Sequence, residues 1–173
     1  MDDVYWGDVK RGVRGRGAKG KRPFVAAVSM NKEGHPMRMR FSAVEGFRKV
    51  ELTKWAKAHL RPKLLAISDG LACFRGIEEA NIFHLAIVTG GGADCVELPY
   101  FKWVNTMISH VKNAMNGTYH AINNRHLPRY LAEFCFKFNR RFNLEKMMEQ
   151  LIYSSIQAAP MPQRLLKLAE VRW

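Results

Sequence analysis

Apolar positions along the chain recur with two different periods. Phe24 to Ser29 (FVAAVS) is a continuous apolar run of strand length. Met37 to Phe41 (MRMRF) alternates apolar and basic residues, the period of a half-exposed strand. Asn31 to Gly34 between them is a turn signal, so the two runs predict a hairpin. Val4 to Trp6 is a shorter apolar piece ahead of both. Leu52, Trp55, Ala56, His59 and Leu60 then recur at helical spacing and predict an amphipathic helix over Val50 to Leu60, ended by Pro62. Leu64 to Ile67 (LLAI) reads as a short buried strand running into Ser68-Asp69-Gly70. Leu71 to Ala80 can form a helix, Ile82 to Val88 a further strand, and Thr89 to Asp94 (TGGGAD) a flexible loop.

Beyond that loop the period is helical throughout. Val104, Met107, Ile108, Val111 and Met115 fall on one stripe. Leu127, Tyr130, Leu131, Phe134, Cys135 and Phe138 form a second, and Leu144, Met147, Met148, Leu151 and Ile152 a third. All three are expected to face a core. Strands first, then alternating elements, then helices predict an α/β fold with a central mixed sheet flanked by helices and a helical C-terminal half.

Composition narrows the class. The chain has 173 residues, 47% of them hydrophobic, enough for one domain with a real core and too apolar for wholesale disorder. No apolar run reaches membrane-spanning length, and the acidic start Met1-Asp2-Asp3 has no signal-peptide core, so no membrane partner and a cytoplasmic location are expected. The cysteines, Cys73, Cys95 and Cys135, are three and far apart, which predicts buried thiols in a reducing compartment. His120 and His126 have no cysteine partners nearby, so no zinc site is expected.

The charge is uneven. Lys and Arg outnumber Asp and Glu by 28 to 15, a formal net charge of +13. Seven of those positive charges fall in one acid-free, Gly-rich segment: Lys10, Arg11, Arg14, Arg16, Lys19, Lys21 and Arg22. Such a segment predicts a mobile loop between two strands, able to follow a phosphate backbone. It contains no GxxxxGK[ST], so no nucleotide cofactor is implied. Arg129, Lys137, Arg140 and Arg141 lie around the polar side of the Leu127 helix. They read either as a solvated face or as further DNA-backbone contacts.

Two acidic points sit where α/β folds build sites. Asp2-Asp3 borders the first strand, and Asp69 ends a buried one, where ligand crevices form. Asp69 could equally cap the following helix. Asp3 is expected on the opposite strand face from Asp2, in a structural role. Asn105 and Lys112, seven residues apart, share one face of their helix, on the rim between core and solvent.

Taken together, MDDVYWGD, the basic loop ending GKRPFVAAVS, SDGLACF, WVNTMISHVKNAMNGTYHAI and HLPRYLAEFCFKFNRRF resemble the catalytic domain of bacterial insertion-sequence transposases. The resemblance is to the ISXO-like group of the DDE superfamily and runs from Asp2 to about Tyr153. It implies an RNase H-like fold over residues 1–155 and a short basic tail over 156–173. It implies catalytic Asp2, Asp69, Asn105 and Lys112, with the first three as metal ligands. Thirty-five residues separate Asp69 from Asn105, as in the superfamily's acidic pattern, and Glu97 is a rival third ligand. The implied cofactor is a pair of Mg²⁺ or Mn²⁺ ions. The implied partners are DNA, as element ends and target, and further copies of the chain in a synaptic complex. The implied reaction is cleavage at the element ends followed by strand transfer. Relatives carry an N-terminal zinc-binding and helix-turn-helix region that nothing before Asp2 supplies. The rival readings are therefore a DNA-binding remnant without activity and an RNase H-like nuclease acting on RNA–DNA hybrids.

Overall fold

The computed structural model describes residues 1–7, 20–88, 98–119 and 122–168. Three antiparallel strands open the chain: β1 (Asp2–Trp6), β2 (Arg22–Met30) and β3 (Pro36–Ala43), in the order β1-β2-β3. Helix α1 (Lys49–His59) leads to β4 (Leu65–Ser68), a 3₁₀ helix (Ala72–Ala80) and β5 (Phe83–Ala86), which pairs parallel to β4. The helical half comprises α2 (Pro99–Tyr119), a 3₁₀ turn (Asn124–His126), α3 (Leu127–Asn139), α4 (Leu144–Gln157) and α5 (Gln163–Leu168).

The central position of β2 explains its unbroken apolar run. Phe24 and Ala26 face α2 and α3, packing with Val4, Phe41, Val104, Ile108 and Leu131. Val25 and Ala27 face the other way, onto Leu52, Trp55, Phe74 and Ile77. A strand covered on both faces has no use for alternation. β3 keeps it: Met39 and Phe41 are buried, while Arg38 and Arg40 are exposed. Cys73 lies in the second core and Cys135 in the first, as expected of buried thiols.

The outer edge of β3 is finished by side chains of α3 rather than by another strand. The Met39 N–H donates to Asn139 Oδ1 at 2.8 Å, and Asn139 Nδ2 donates to the Met39 carbonyl at 3.0 Å. One amide thus pairs with the backbone as a neighbouring strand would, which closes an edge open to wrong pairing. Arg141 extends this seal by donating to the carbonyls of Pro36 and Met37.

Two expectations change. Among the described residues the predicted single mixed sheet is two sheets, one of three antiparallel strands and one of two parallel strands, with Met1 N donating to the Ile67 carbonyl at 2.6 Å between them. The helix expected after Gly70 is present in 3₁₀ form and passes close to α1: a Cβ on Gly76 would stand 2.4 Å from the Lys49 carbonyl oxygen. The third apolar stripe does not face a core. Leu144, Met148, Leu151 and Ile152 are all exposed, and α4 has no buried residue. Periodicity identifies the face that favours burial, but not whether this part of the chain supplies the cover. No described helix is long and apolar enough to cross a membrane. The Thr89 to Asp94 segment lies outside the described residues.

Candidate metal and DNA site

Two strands bring three carboxylates together. β1 pairs with β2 so that Asp2 lies opposite Ala26 and Val4 opposite Phe24, which turns Asp2 toward the α2 side. Asp69 follows the last residue of β4. The Met1–Ile67 hydrogen bond sets the start of β1 beside the end of β4. Carboxylate oxygens of Asp2, Asp3 and Asp69 consequently lie within 4.8 Å of one another, all three residues half-buried.

Asp3 thus joins the cluster, although a structural role was expected of it. Its strand position does face away from that of Asp2, opposite Val25. Yet β1 ends its sheet, so side chains from both of its faces can lean over the same open edge toward Asp69. Asp2 also curls along the chain, its Oδ1 accepting the Asp3 N–H at 2.9 Å. Strand alternation assigns faces; at an edge it does not keep side chains apart.

The turn at Asp69 is tightly fixed. Gly70 has φ +87°, a conformation costly to other residues, and a Cβ there would stand 2.8 Å from Val88 Cγ2. Asp69 Oδ1 accepts the Leu71 N–H at 3.2 Å, a local turn contact; the helix-cap position that the sequence left open to Asp69 is held by Leu71.

The electrostatics are those of crowded carboxylates, with the Met1 ammonium acting on Asp2 against the repulsion. Burial, then the charges of Asp69 and Asp3, push the Asp2 carboxyl from 3.8 up to about 6. Lys112 stands within reach: burial lowers its pKa, the Asp2 charge acts to raise it, and Lys21 acts to lower it. α2 buries Phe101, Val104, Met107, Ile108, Val111 and Met115 and carries Asn105 and Lys112, both half-buried, on the shoulder of that stripe. Close-set hard oxygen donors that repel one another suit a divalent cation such as Mg²⁺ or Mn²⁺.

The expected DNA contacts divide. Lys21, just before β2, acts on Lys112, and Nε of Arg22, the first residue of β2, is buried without a hydrogen-bond partner among the described residues. Arg129, in α3, and Arg140 and Arg141, just after it, also make ties within the chain. Arg129 donates to the Leu166 carbonyl at 3.1 Å. Arg140 donates to Gln150 and stacks 3.8 Å over Phe136. Arg141 holds the β3 edge and stacks 3.8 Å over Phe138. Lys10, Arg11, Arg14, Arg16, Lys19, Glu97 and His120 lie outside the described residues.

The ISXO2-like transposase domain model matches residues 1–139, most of the chain and every element that builds the site. The chain belongs to this family. It is thus an insertion-sequence transposase of the DDE superfamily, and the divalent metal such transposases generally use has an acidic cluster ready for it. Comparison with curated proteins and with solved structures finds no match. The matched span ends at Asn139, so this transposase carries α4 and α5 beyond its family domain.

Proposed function

We propose that residues 1–155 form a metal-dependent catalytic domain that cuts DNA at insertion-sequence ends and joins the exposed 3′-hydroxyl to target DNA. The observation that carries this is the meeting of Asp2, Asp3 and Asp69 from two strands, with Lys112 at its side. An RNase H-like fold is supported by the antiparallel β1-β2-β3 order, the parallel β4-β5 pair, the β1–β4 proximity and helices on both faces of β2.

In this reading Asp2 and Asp69 hold a pair of Mg²⁺ or Mn²⁺ ions, with Asn105 completing the set. Asp3 joins Glu97 as a rival for that third place. When bound, such ions lower the pKa of a coordinated water or hydroxyl and offset charge developing at phosphorus. The chain's own residues do the rest. Lys112 binds a phosphate oxygen beside the scissile bond, and its partial burial keeps that charge poorly screened. Lys21, Arg22 and the rest of the basic loop hold the backbone on either side. The turn at Gly70 keeps the Asp69 carboxylate aimed at the site.

A strand-transfer assay with pre-cut element ends and Mn²⁺ tests the proposal. Asp2→Ala and Asp69→Ala are expected to abolish joining. Full joining by Asp69→Ala would refute the mechanism. Loss in Asp3→Asn with activity kept in Asn105→Ala would move the third ligand from α2 to β1. Salt-sensitive duplex binding with no Asp-dependent nicking would leave the DNA-binding remnant as the correct reading.

A further inference from the structure

We propose that Ser68, His84 and Glu78 form a positioning row that holds Asp69 in its metal-ready orientation, an inference that rests on the metal-site reading above. Ser68 is wholly buried and directly precedes Asp69. Its Oγ lies 2.8 Å from His84 Nε2 and accepts the Gly70 N–H at 3.4 Å. Across the ring, His84 Nδ1 lies 3.6 Å from Glu78 Oε1, and the His84 side chain is only 2% exposed. With Nδ1–H turned to the Glu78 carboxylate, Nε2 accepts from the Ser68 hydroxyl, whose oxygen accepts from Gly70. The hydrogen bonds then run in one direction, from the backbone after Asp69 to the His84 ring, with the Glu78 carboxylate as a longer electrostatic contact beyond it.

Serine, histidine and glutamate are also the residue types of a nucleophilic triad. That role is closed here, because a serine with no exposure meets no substrate. What the row does reach is the Asp69 turn. Parallel pairing sets His84 opposite Ala66 and Ala86 opposite Ser68, so the ring lies along the buried face of β4 that Ala66 and Ser68 share. The Ile87 N–H donates to the Ser68 carbonyl at 2.9 Å, fixing the strand end from its edge. Asp69 is thereby held at two points: Leu71 N–H grips its carboxylate, and the row grips the backbone that carries it. Groups that orient a ligand in this way commonly change metal affinity by about 10–100-fold when removed.

The test is Mn²⁺ binding to the metal-free full chain by titration calorimetry, with thermal unfolding recorded alongside. Ser68→Ala and His84→Phe are expected to bind Mn²⁺ at least about 10-fold more weakly. His84→Gln, which restores an acceptor to the Ser68 hydroxyl, is expected to recover part of the loss. Leu65→Gly loosens the same strand from its exposed face, opposite to the one Ala66 and Ser68 share, and serves as the control for destabilisation alone. Equal weakening in Leu65→Gly and Ser68→Ala would overturn the positioning role, as would parental affinity in both Ser68→Ala and His84→Phe while Asp69→Asn loses binding. Parental affinity in Asp69→Asn itself would instead remove the metal-site reading, and the row's role with it.

Discussion

Replacing Asp2 by Asn should stabilise the metal-free protein, although Asp2 is proposed as a central ligand. The Asp2 carboxyl titrates near 6 in the fold against 3.8 ordinarily, a rise of about 2 units. At about 1.4 kcal/mol per unit, the ionised group opposes folding by about 3 kcal/mol at neutral pH. A folded pKa above the unfolded one gives stability that is complete below pH 3.8, declines as pH rises through the window, and is lost above about 6. Asn keeps the oxygen that accepts from the Asp3 N–H, so the substitution removes the charge, whose attraction to the Met1 ammonium is smaller than its burial and repulsion costs. The assay is urea or thermal unfolding in EDTA across pH 4 to 8. At pH 7.5 Asp2→Asn should exceed the parent by up to about 3 kcal/mol, roughly 6–12 °C in Tm for a chain of this size. Near pH 4 the two should converge. Saturating Mn²⁺ should raise the parent and leave the variant nearly unmoved, because a ligand stabilises only the state that binds it. An Asp2→Asn protein that is less stable than the parent in EDTA at pH 7.5, or whose advantage does not change with pH, would refute the reasoning.

Other consequences follow from single contacts. Asn139→Ala removes both hydrogen bonds to Met39 and should cost about 1–3 kcal/mol in urea unfolding, with aggregation increased because the β3 edge is uncovered. Gly76→Ala forces a methyl to 2.4 Å from the Lys49 carbonyl oxygen and should cost about 1–3 kcal/mol, read by the same unfolding curves; an unchanged midpoint would show that α1 and the 3₁₀ helix can separate freely. Lys112→Ala should eliminate joining activity and lower the slope of log affinity against log salt for DNA by about 1, measured by fluorescence anisotropy, while Arg141→Ala should leave that slope intact and lower stability instead.

The strands and the first two long helices were legible because their patterns reflect burial within this chain. FVAAVS records a strand covered on both faces, and Val104 to Met115 records one continuous contact. The same logic misassigned Leu144 to Ile152, whose spacing is as regular but whose face nothing described covers. The arginines after α3 show a related limit. Arg141 is basic, and it also donates to the β3 edge, a non-local contact that no residue spacing encodes.

The candidate site shows where such reading stops. Asp2 and Asp69 could be paired by motif, but Asp3 could not, since alternation places it on the wrong face and only the proximity of β1 and β4 brings it back. His84 carried no signal either: one histidine in a short strand is unremarkable until its ring lies 2.8 Å from the hydroxyl beside Asp69. The first case depends on the start of β1 meeting the end of β4, where Met1 bonds to Ile67, 66 positions along the chain; the second depends on the parallel pairing of β4 with β5. A site built across such a junction is sensitive to the strands' relative placement. Residues that fix the junction, Ser68 and Gly70 among them, should therefore matter to metal binding as much as residues that could touch the ion.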